Sequence, residues 1–259
     1  QESRSKEMAE VFTPPWVCNS QNNLIDDLWF ENKNVFNFEI VNLTGQKNWV
    51  VNSKKIVFPK NKNWLDYIKS KRIEVACGEA PYITSRYDST TGDFIKIKNR
   101  IGVLDRKLRI INENTNLSKE WLEASRIAYK STYGFEWQGD SLLLAREAML
   151  ATFIENYYFK FKKQPTLNSI NSIAKIISWN IWQMDGLKGV IPGSCRSLTL
   201  TEEDLFGKRV KKTFCSGCIK DNIYEHNGTY SIIKDWTKSS KKSKKIKGRE
   251  IRFIDAIKK

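Results

Sequence analysis

The sequence has few of the features that mark membrane proteins, secreted proteins and histidine-dependent enzymes. Its 259 residues contain a single histidine, which argues against a histidine-based nuclease site. It contains no run of about 18 apolar residues, so no membrane-spanning helix is predicted. Residues 1–10 lack the apolar centre of a signal peptide. Five cysteines, an odd number, favour free thiols in a reducing cytoplasm over a disulfide framework.

Acidic residues are scarce relative to basic ones. Lysine and arginine total 44 against 29 aspartate and glutamate, a formal net charge of +15. Such an excess favours a polyanionic partner, and we expect a nucleic acid. A lysine-rich composition that reflects an AT-rich genome would produce the same excess without a nucleic-acid partner. The hydrophobic fraction of 40% is enough for a packed core, which excludes a largely disordered chain.

Strand and helix patterns alternate along most of the chain. Residues 36–58 alternate β-branched and polar side chains and predict a hairpin. Further strands are predicted at 73–77, 134–137 and 176–182. Helical spacing of apolar residues predicts helices at 101–112, 118–133, 142–160 and 167–175. Strands that alternate with helices favour an α/β fold with a parallel sheet.

The loop after the strand at 73–77 has the composition of a ligand-binding turn. Residues 75–81 read Val-Ala-Cys-Gly-Glu-Ala-Pro. A glycine there lets the backbone turn sharply and lets a ligand lie against the main chain. An acid in the same loop can hold the amino group of a bound amino-acid moiety. An ordinary strand-to-turn junction would have the same composition.

Together with the upstream pair Thr13-Pro14, this loop resembles the adenine-specific DNA methyltransferases, including the modification subunits of restriction–modification systems. In that family an N-terminal Thr-Pro segment covers the methionine end of S-adenosylmethionine, and a Cys-Gly loop follows the first strand. The resemblance covers residues 7–182 and implies a Rossmann-like S-adenosylmethionine-dependent methyltransferase domain. By the same resemblance, the cofactor-binding residues of these two segments are Thr13, Pro14, Ala76, Cys77, Gly78, Glu79 and Pro81. Glu79 stands where the family has a small residue, and Thr13-Pro14 also suits a plain helix start.

The resemblance also implies an acid at the end of the second strand, which accepts hydrogen bonds from the cofactor ribose. Glu136 fits this position, since a carboxylate at the end of a strand is the usual ribose acceptor in such folds. Trp137 would then stack on the adenine. A surface glutamate beside a core tryptophan is the alternative. The interval from Gly78 to Glu136 exceeds an ordinary βαβ unit, so an insertion is expected between them.

The sequence departs from the family at the catalytic tetrapeptide, Asp/Asn/Ser-Pro-Pro-aromatic after the fourth strand. In the family this motif holds the target amino group and stacks on the flipped base. The nearest equivalent is residues 180–183, Asn-Ile-Trp-Gln. We predict catalytic roles for Asn180 and Gln183 as amides that bind an adenine edge, and for Trp182 as the stacking ring. The alternative is that the tryptophans of this stretch are simply core residues.

After Gly193 the chain changes character, with cysteines, short strands and glycine turns. Cys215 and Cys218 have the spacing of a zinc knuckle, and His226 is the single histidine. Cys195 completes a set of four ligands for one structural zinc ion. Ordinary free thiols are the alternative. A redox pair is less favoured, because no thioredoxin-like βαβ unit surrounds the motif.

A strip of basic residues follows near the end of the chain. We predict that it contacts DNA phosphates. The alternative is a solvated loop that aids solubility. The predicted DNA-binding residues are Lys238, Lys241, Lys242, Lys244, Lys245 and Arg249.

The sequence therefore predicts a methyltransferase-like cofactor-binding domain over 1–192 and a small basic, cysteine-containing region over 193–259. The resemblance implies a DNA methyltransferase of a restriction–modification system, which transfers a methyl group to a DNA base, the adenine amino group. By the same resemblance, its partners would be double-stranded DNA and other subunits of such a system. One alternative is a non-catalytic, methyltransferase-like DNA-recognition subunit. Another is a restriction nuclease with a zinc knuckle, although the acid-acid-lysine cluster of such nucleases is not evident.

Overall fold

Helices and strands alternate through most of the described chain. The computed structural model describes residues 12–43, 45–204, 207–237 and 248–258, with 198–204 and 207–212 described by their backbone alone. The strands are Asn37–Val41 (β1), Lys47–Val51 (β2), Arg72–Val75 (β3), Thr132–Glu136 (β4), Ile181–Gln183 (β5), Leu198–Asp204 (β6), Gly207–Thr213 (β7), Ile232–Asp235 (β8) and Arg249–Arg252 (β9). The helices are Pro15–Phe30 (α1), Trp64–Lys69 (α2), Val103–Asn114 (α3), Ser118–Lys130 (α4), Gly139–Phe161 (α5), Leu167–Asn180 (α6), Ser216–Lys220 (α7) and Phe253–Ile257 (α8).

The central sheet is parallel and has the order β3-β4-β5. Helices α3 and α4 lie between β3 and β4 in the chain, and α5 and α6 lie between β4 and β5. Parallel neighbours need such crossovers, because a tight hairpin can only join antiparallel strands. The other strands pair as antiparallel hairpins, β1 with β2, β6 with β7 and β8 with β9. The predicted α/β class, parallel sheet and early hairpin are confirmed.

Local sequence accounts for the helices that flank the sheet. In α3 the residues Leu104, Leu108 and Ile111 recur at helical spacing, and all three are buried. Helix α2 is short, but a capping box fixes its start. The Asn63 side chain accepts hydrogen bonds from the amides of the first turn, and Asp66 accepts one from the Asn63 amide.

A buried ion pair fixes helix α1 against helix α3. Arg106 Nη1 lies 2.7 Å from Asp26 Oδ2, and both side chains are almost fully buried. The same guanidinium donates to Asn19 and Asn23 on α1. A buried arginine needs all of these partners to offset its lost hydration. The pairing therefore fixes where α1, and Thr13 just before it, lie relative to the sheet.

The strand predicted at 176–182 is wrong for most of its length. Helix α6 continues to Asn180, and β5 is limited to Ile181–Gln183. The buried residues Ile173, Ile176, Ile177 and Asn180 have the spacing of one helical face. A short apolar run fits either a strand or a buried helix, and here the packing of α6 on α5 selected the helix.

The region after residue 193 packs on one face of the central sheet. Tyr133 and Phe135 point to that face from β4, and they join a hydrophobic cluster with Ile233, Phe253 and Ile254. Alternate residues of β4 point the other way, and Gly134 faces Cys77, Ile83 and Ile181 in the main core. The proposed boundary at 192/193 thus separates two regions that share a hydrophobic contact. Among the described residues, no helix combines the length and apolar composition needed to cross a bilayer.

Candidate functional site

A cavity of roughly 470 Å³ opens at the carboxyl ends of β3 and β4. In parallel sheets this edge is where ligands bind, because the loops that leave adjacent strands diverge there. Eight of the nine residues predicted to bind the cofactor line the cavity: Thr13, Ala76, Cys77, Gly78, Glu79, Pro81, Glu136 and Trp137. The ninth, Pro14, is the N-cap residue of α1, and its carbonyl accepts the Val17 amide at 2.9 Å.

The loop after β3 turns through unusual backbone conformations. Ala76, Gly78 and Ala80 have φ of +56°, +53° and +62°. Such left-handed residues cost little for glycine but about 1 kcal/mol or more for a residue with a Cβ. No atom lies within 4 Å of where a Cβ on Gly78 would stand, so the glycine is needed for its conformation and not because neighbours crowd it.

The Glu136 carboxylate connects the two strands at the cavity. It accepts hydrogen bonds from the amides of Gly78 at 2.5 Å, Trp137 at 2.8 Å and Gln138 at 3.0 Å. The residue is only 8% exposed, so these amides replace most of its hydration. Glu136 therefore presents a fixed negative acceptor at the end of β4, where it was predicted.

The cavity is acidic although the chain as a whole is basic. Glu74, Glu79 and Glu136 line it, and none of the described lining residues is lysine, arginine or histidine. Glu79 accepts a hydrogen bond from the Tyr87 hydroxyl at 2.5 Å. Burial, with a further contribution from this bond, raises the pKa of Tyr87 above its ordinary value, so the phenol stays protonated. This lining favours a cationic ligand that is rich in hydrogen-bond donors.

Two hydrogen bonds position the other segments at the cavity edge. The Ser89 hydroxyl donates to the Thr13 carbonyl at 2.6 Å and brings the segment before α1 to the cavity. Trp137 lies at the cavity with 48% of its surface exposed, so part of this residue is accessible to a ligand. The Gln183 amide donates to the Trp137 carbonyl at 2.9 Å and connects the end of β5 to the same edge.

None of the three predicted catalytic residues, Asn180, Trp182 and Gln183, is among the described residues that line the cavity. Asn180 is fully buried, and its amide donates to the carbonyls of Tyr129 and Thr132 at 2.8 and 3.0 Å. Its carbonyl accepts the Trp236 indole at 2.8 Å. The prediction that Asn180 binds a base is not supported, because these internal partners already occupy both ends of the amide. Trp182 packs in the cluster beneath the C-terminal region, as the core alternative expected.

Nine of the 17 described lining residues were not predicted from the sequence, among them Glu74 and Tyr87. Glu74 interrupts the apolar run at 73–77, and a carboxylate within an otherwise apolar predicted strand is a signal that could have marked it. Tyr87 lies in the long insertion between Gly78 and Glu136. No local pattern there indicates that the chain returns to the cavity.

The four predicted metal ligands converge at a second place. The Cys195 sulfur lies 3.5 Å from the Cys218 sulfur and 3.7 Å from His226 Nδ1. The sulfurs of Cys215 and Cys218 each lie 3.6 Å from the same nitrogen. All four ligand atoms lie within 4.8 Å of one another. We call these residues the Cys/His cluster.

The basic strip predicted to contact DNA falls almost entirely outside the described residues. This applies to Lys238, Lys241, Lys242, Lys244 and Lys245. Arg249 is described: it is exposed and begins β9, opposite Asp235.

Comparison with protein-family models, with curated protein sequences and with solved structures returned no match. The assignment of a function therefore depends on the residues of the cavity and of the cluster.

Proposed function

We propose that this chain is a DNA methyltransferase of a restriction–modification system, which binds S-adenosylmethionine in the acidic cavity and transfers its methyl group to a DNA base. One observation carries the proposal. Three segments that the resemblance assigned to the cofactor, separated by more than 50 residues each in the sequence, line one cavity at the carboxyl edge of a parallel sheet. This arrangement supports a Rossmann-like domain with its cofactor at the usual edge.

The charge of the cavity suits this ligand. S-adenosylmethionine carries a sulfonium and an ammonium group against one carboxylate, and its ribose hydroxyls are donors. Carboxylates of Glu79 and Glu136 would attract the cationic groups in a partly desolvated cavity. A ligand with phosphates, such as ATP, would face the same carboxylates without a lysine or arginine among the described lining residues.

Three of the lining residues then have specific roles. Glu136 accepts from the ribose hydroxyls while the backbone amides hold it in place, and Trp137 stacks on the adenine. Glu79 accepts from the ammonium group near the loop at Gly78. When bound, the cofactor supplies an electrophilic methyl group on a sulfonium.

For the transfer itself, the chain must orient the target amine in line with that methyl group. Gln183 is the member of the predicted catalytic stretch that contacts the cavity edge, through the Trp137 carbonyl. We assign it the role of holding the base, and Asn180 is removed from the catalytic set. The proposed base is adenine. The Gln183 amide would bind the edge of adenine that carries N6 and N7.

The cofactor experiment compares ligands and two matched variants by calorimetry. Wild-type protein should bind S-adenosylmethionine and S-adenosylhomocysteine, and should bind ATP much more weakly. Glu136→Gln loses the charge and sets an NH2 donor against a backbone amide that the carboxylate now accepts. It should weaken binding by about 10- to 100-fold, the value of a charge-assisted hydrogen bond. Glu120→Gln, at an exposed position on α4, is the control and should bind as wild type. Equal affinity in wild type and Glu136→Gln would sink the assignment.

A second experiment separates catalysis from recognition. The Gln183→Ala variant should no longer transfer a radiolabelled methyl group from S-adenosylmethionine to DNA of mixed sequence. Its affinity for the cofactor should stay within a fewfold of wild type. If wild-type protein binds cofactor and DNA yet transfers no methyl group, alone or with partner subunits, the chain is the non-catalytic recognition subunit instead. The proposed ligands also include one structural zinc ion at the Cys/His cluster, away from the cavity.

A further inference from the structure

The Cys/His cluster has the dimensions of an occupied metal site. With Zn–S bonds of about 2.3 Å and a Zn–N bond of about 2.05 Å, tetrahedral angles place two sulfurs about 3.8 Å apart and a sulfur about 3.6 Å from the nitrogen. The observed sulfur–nitrogen distances are 3.6, 3.6 and 3.7 Å, and the sulfurs of Cys195 and Cys218 lie 3.5 Å apart. We propose that Cys195, Cys215, Cys218 and His226 hold one tetrahedral Zn²⁺ ion, which ties both ends of the β6–β7 hairpin to the segment that carries Cys218 and His226.

The donor set selects zinc among common metal ions. Three thiolates and one imidazole nitrogen suit a borderline-soft ion, whereas calcium and magnesium require oxygen ligands. A disulfide fits less well. Its sulfurs must approach to about 2.05 Å, and it would use two of the three thiols and leave the imidazole without a role. Four protein ligands also fill the tetrahedron, which is the pattern of a structural site without an open position for substrate.

Two glycines let the ligand-bearing segments approach one another. A Cβ on Gly217 would lie 2.6 Å from the His226 amide nitrogen and 2.7 Å from Nδ1. A Cβ on Gly228 would lie 2.8 Å from the Cys195 amide nitrogen. Gly217 lies within helix α7, where glycine costs about 1 kcal/mol relative to alanine. Its place between two ligands is explained by the close approach of His226.

Hydrogen bonds around the cluster orient its ligands. The Asn227 amide donates to the Cys215 sulfur at 3.3 Å, a contact that stabilises a thiolate. The Tyr230 hydroxyl accepts the His226 amide at 2.9 Å and donates to the Ile223 carbonyl at 3.0 Å. These bonds hold the histidine backbone, and Nδ1 is the ring nitrogen that lies near all three sulfurs.

The position of the cluster in the chain shows what the ion would hold. Cys195 comes just before β6 and Cys215 just after β7, so one ion ties both ends of this hairpin. Isolated bridges connect Val190 with Asp185 and with Tyr230, next to the sheet and the cluster. Metal binding would therefore hold both ends of the hairpin against the segment that carries Cys218 and His226.

The first test measures zinc in the wild-type protein. Protein purified without added metal should contain about one zinc per chain. A mercurial that caps thiols should release it, and reconstitution with Co²⁺ should produce the visible absorption of tetrahedral cobalt with thiolate charge-transfer bands. Cys218→Ser should lose at least about tenfold in zinc affinity, whereas Cys18→Ala, which leaves all four ligands in place, should retain the full zinc content.

The second test uses a variant that keeps every ligand. Gly217→Ala should also lower zinc affinity by at least about tenfold, because its Cβ would push against the His226 backbone. Gly139→Ala is the matched control, since its Cβ would meet only Gln183 at an ordinary 3.7 Å. Wild-type protein that carries no zinc and shows no tetrahedral cobalt spectrum would overturn the proposal. These readouts do not depend on methyl transfer, so they stand or fall separately from the proposed function.

Discussion

The carboxyl group of Glu74 is buried on β3, at the wall of the acidic cavity. Burial raises its pKa well above the ordinary value of 4.5, and the Glu136 carboxylate raises it further. The amides of Tyr82 and Ile83 offset this effect only in part. Among the described residues, Oε2 of this carboxyl has no hydrogen-bond partner. The native state therefore holds the Glu74 proton more tightly than the unfolded chain does.

This shift makes the stability of the protein depend on pH in a defined direction. A raised folded-state pKa contributes stability that is present below the ordinary value of 4.5 and is lost as pH rises through the folded pKa. Glu74→Gln keeps the shape of the side chain without the charge. Its free energy of unfolding should match that of wild type near pH 4.5 and should exceed it increasingly as the pH rises towards 8. Urea unfolding at several pH values measures the difference. Glu120→Gln is the control, and a pH-independent difference for Glu74→Gln would contradict the prediction.

Helix α6 shows how one element joins distant parts of the fold. Its last residue, Asn180, lies where the end of α4, the start of β4 and Trp236 meet. The side chain satisfies two carbonyls and an indole that the surrounding elements leave open. Its role is thus to connect elements, and a role in base binding does not fit this geometry.

Removing this amide should destabilise the fold. Asn180→Ala would leave buried polar groups of Tyr129, Thr132 and Trp236 unpaired, at a cost of about 2–4 kcal/mol in the free energy of unfolding. Ser178→Ala, at an exposed position on the same helix, should change stability by less than about 0.5 kcal/mol. Denaturant unfolding tests both variants. An Asn180→Ala protein with native stability but without methyl transfer would restore the catalytic interpretation.

Charge is distributed unevenly over the whole molecule. The chain carries a net charge of +15, yet the cavity is lined by glutamates. A basic exterior suits the phosphates of DNA, and an acidic cavity suits a cationic cofactor. The local electrostatic potential would therefore favour DNA at the basic exterior and the cofactor in the acidic cavity.

The proposed DNA surface predicts a steep dependence of affinity on salt. Replacing Lys241, Lys242, Lys244 and Lys245 by glutamine should reduce the slope of log affinity against log salt by about 0.9 per lost phosphate contact. Filter binding or fluorescence anisotropy over a salt series measures this slope. The control replaces four exposed lysines elsewhere, Lys33, Lys54, Lys55 and Lys60, with the same change in net charge. Equal slopes in the two variants would show that the lysines of the basic strip make no specific contacts with DNA phosphates.

Much of the candidate site could be predicted because its signals are local. The turn at Gly78, the acid at Glu136 and the knuckle at Cys215 each depend on a few neighbouring residues whose chemistry is recognisable in sequence. The strand predicted at 176–182 failed for the opposite reason. A short apolar run has no period long enough to separate strand from helix, so tertiary packing decides.

The sequence by itself determined which side chains have the chemistry of a cofactor site and a metal site, because residue type and short spacing are local properties. Only the tertiary structure decided that Thr13, Gly78 and Glu136 line one cavity, and that Cys195 reaches the other cluster residues. It also decided that Asn180 is a buried connector and that Glu74 is a cavity residue. Contacts between residues dozens of positions apart depend on how helices and strands pack, and no local pattern carries that information.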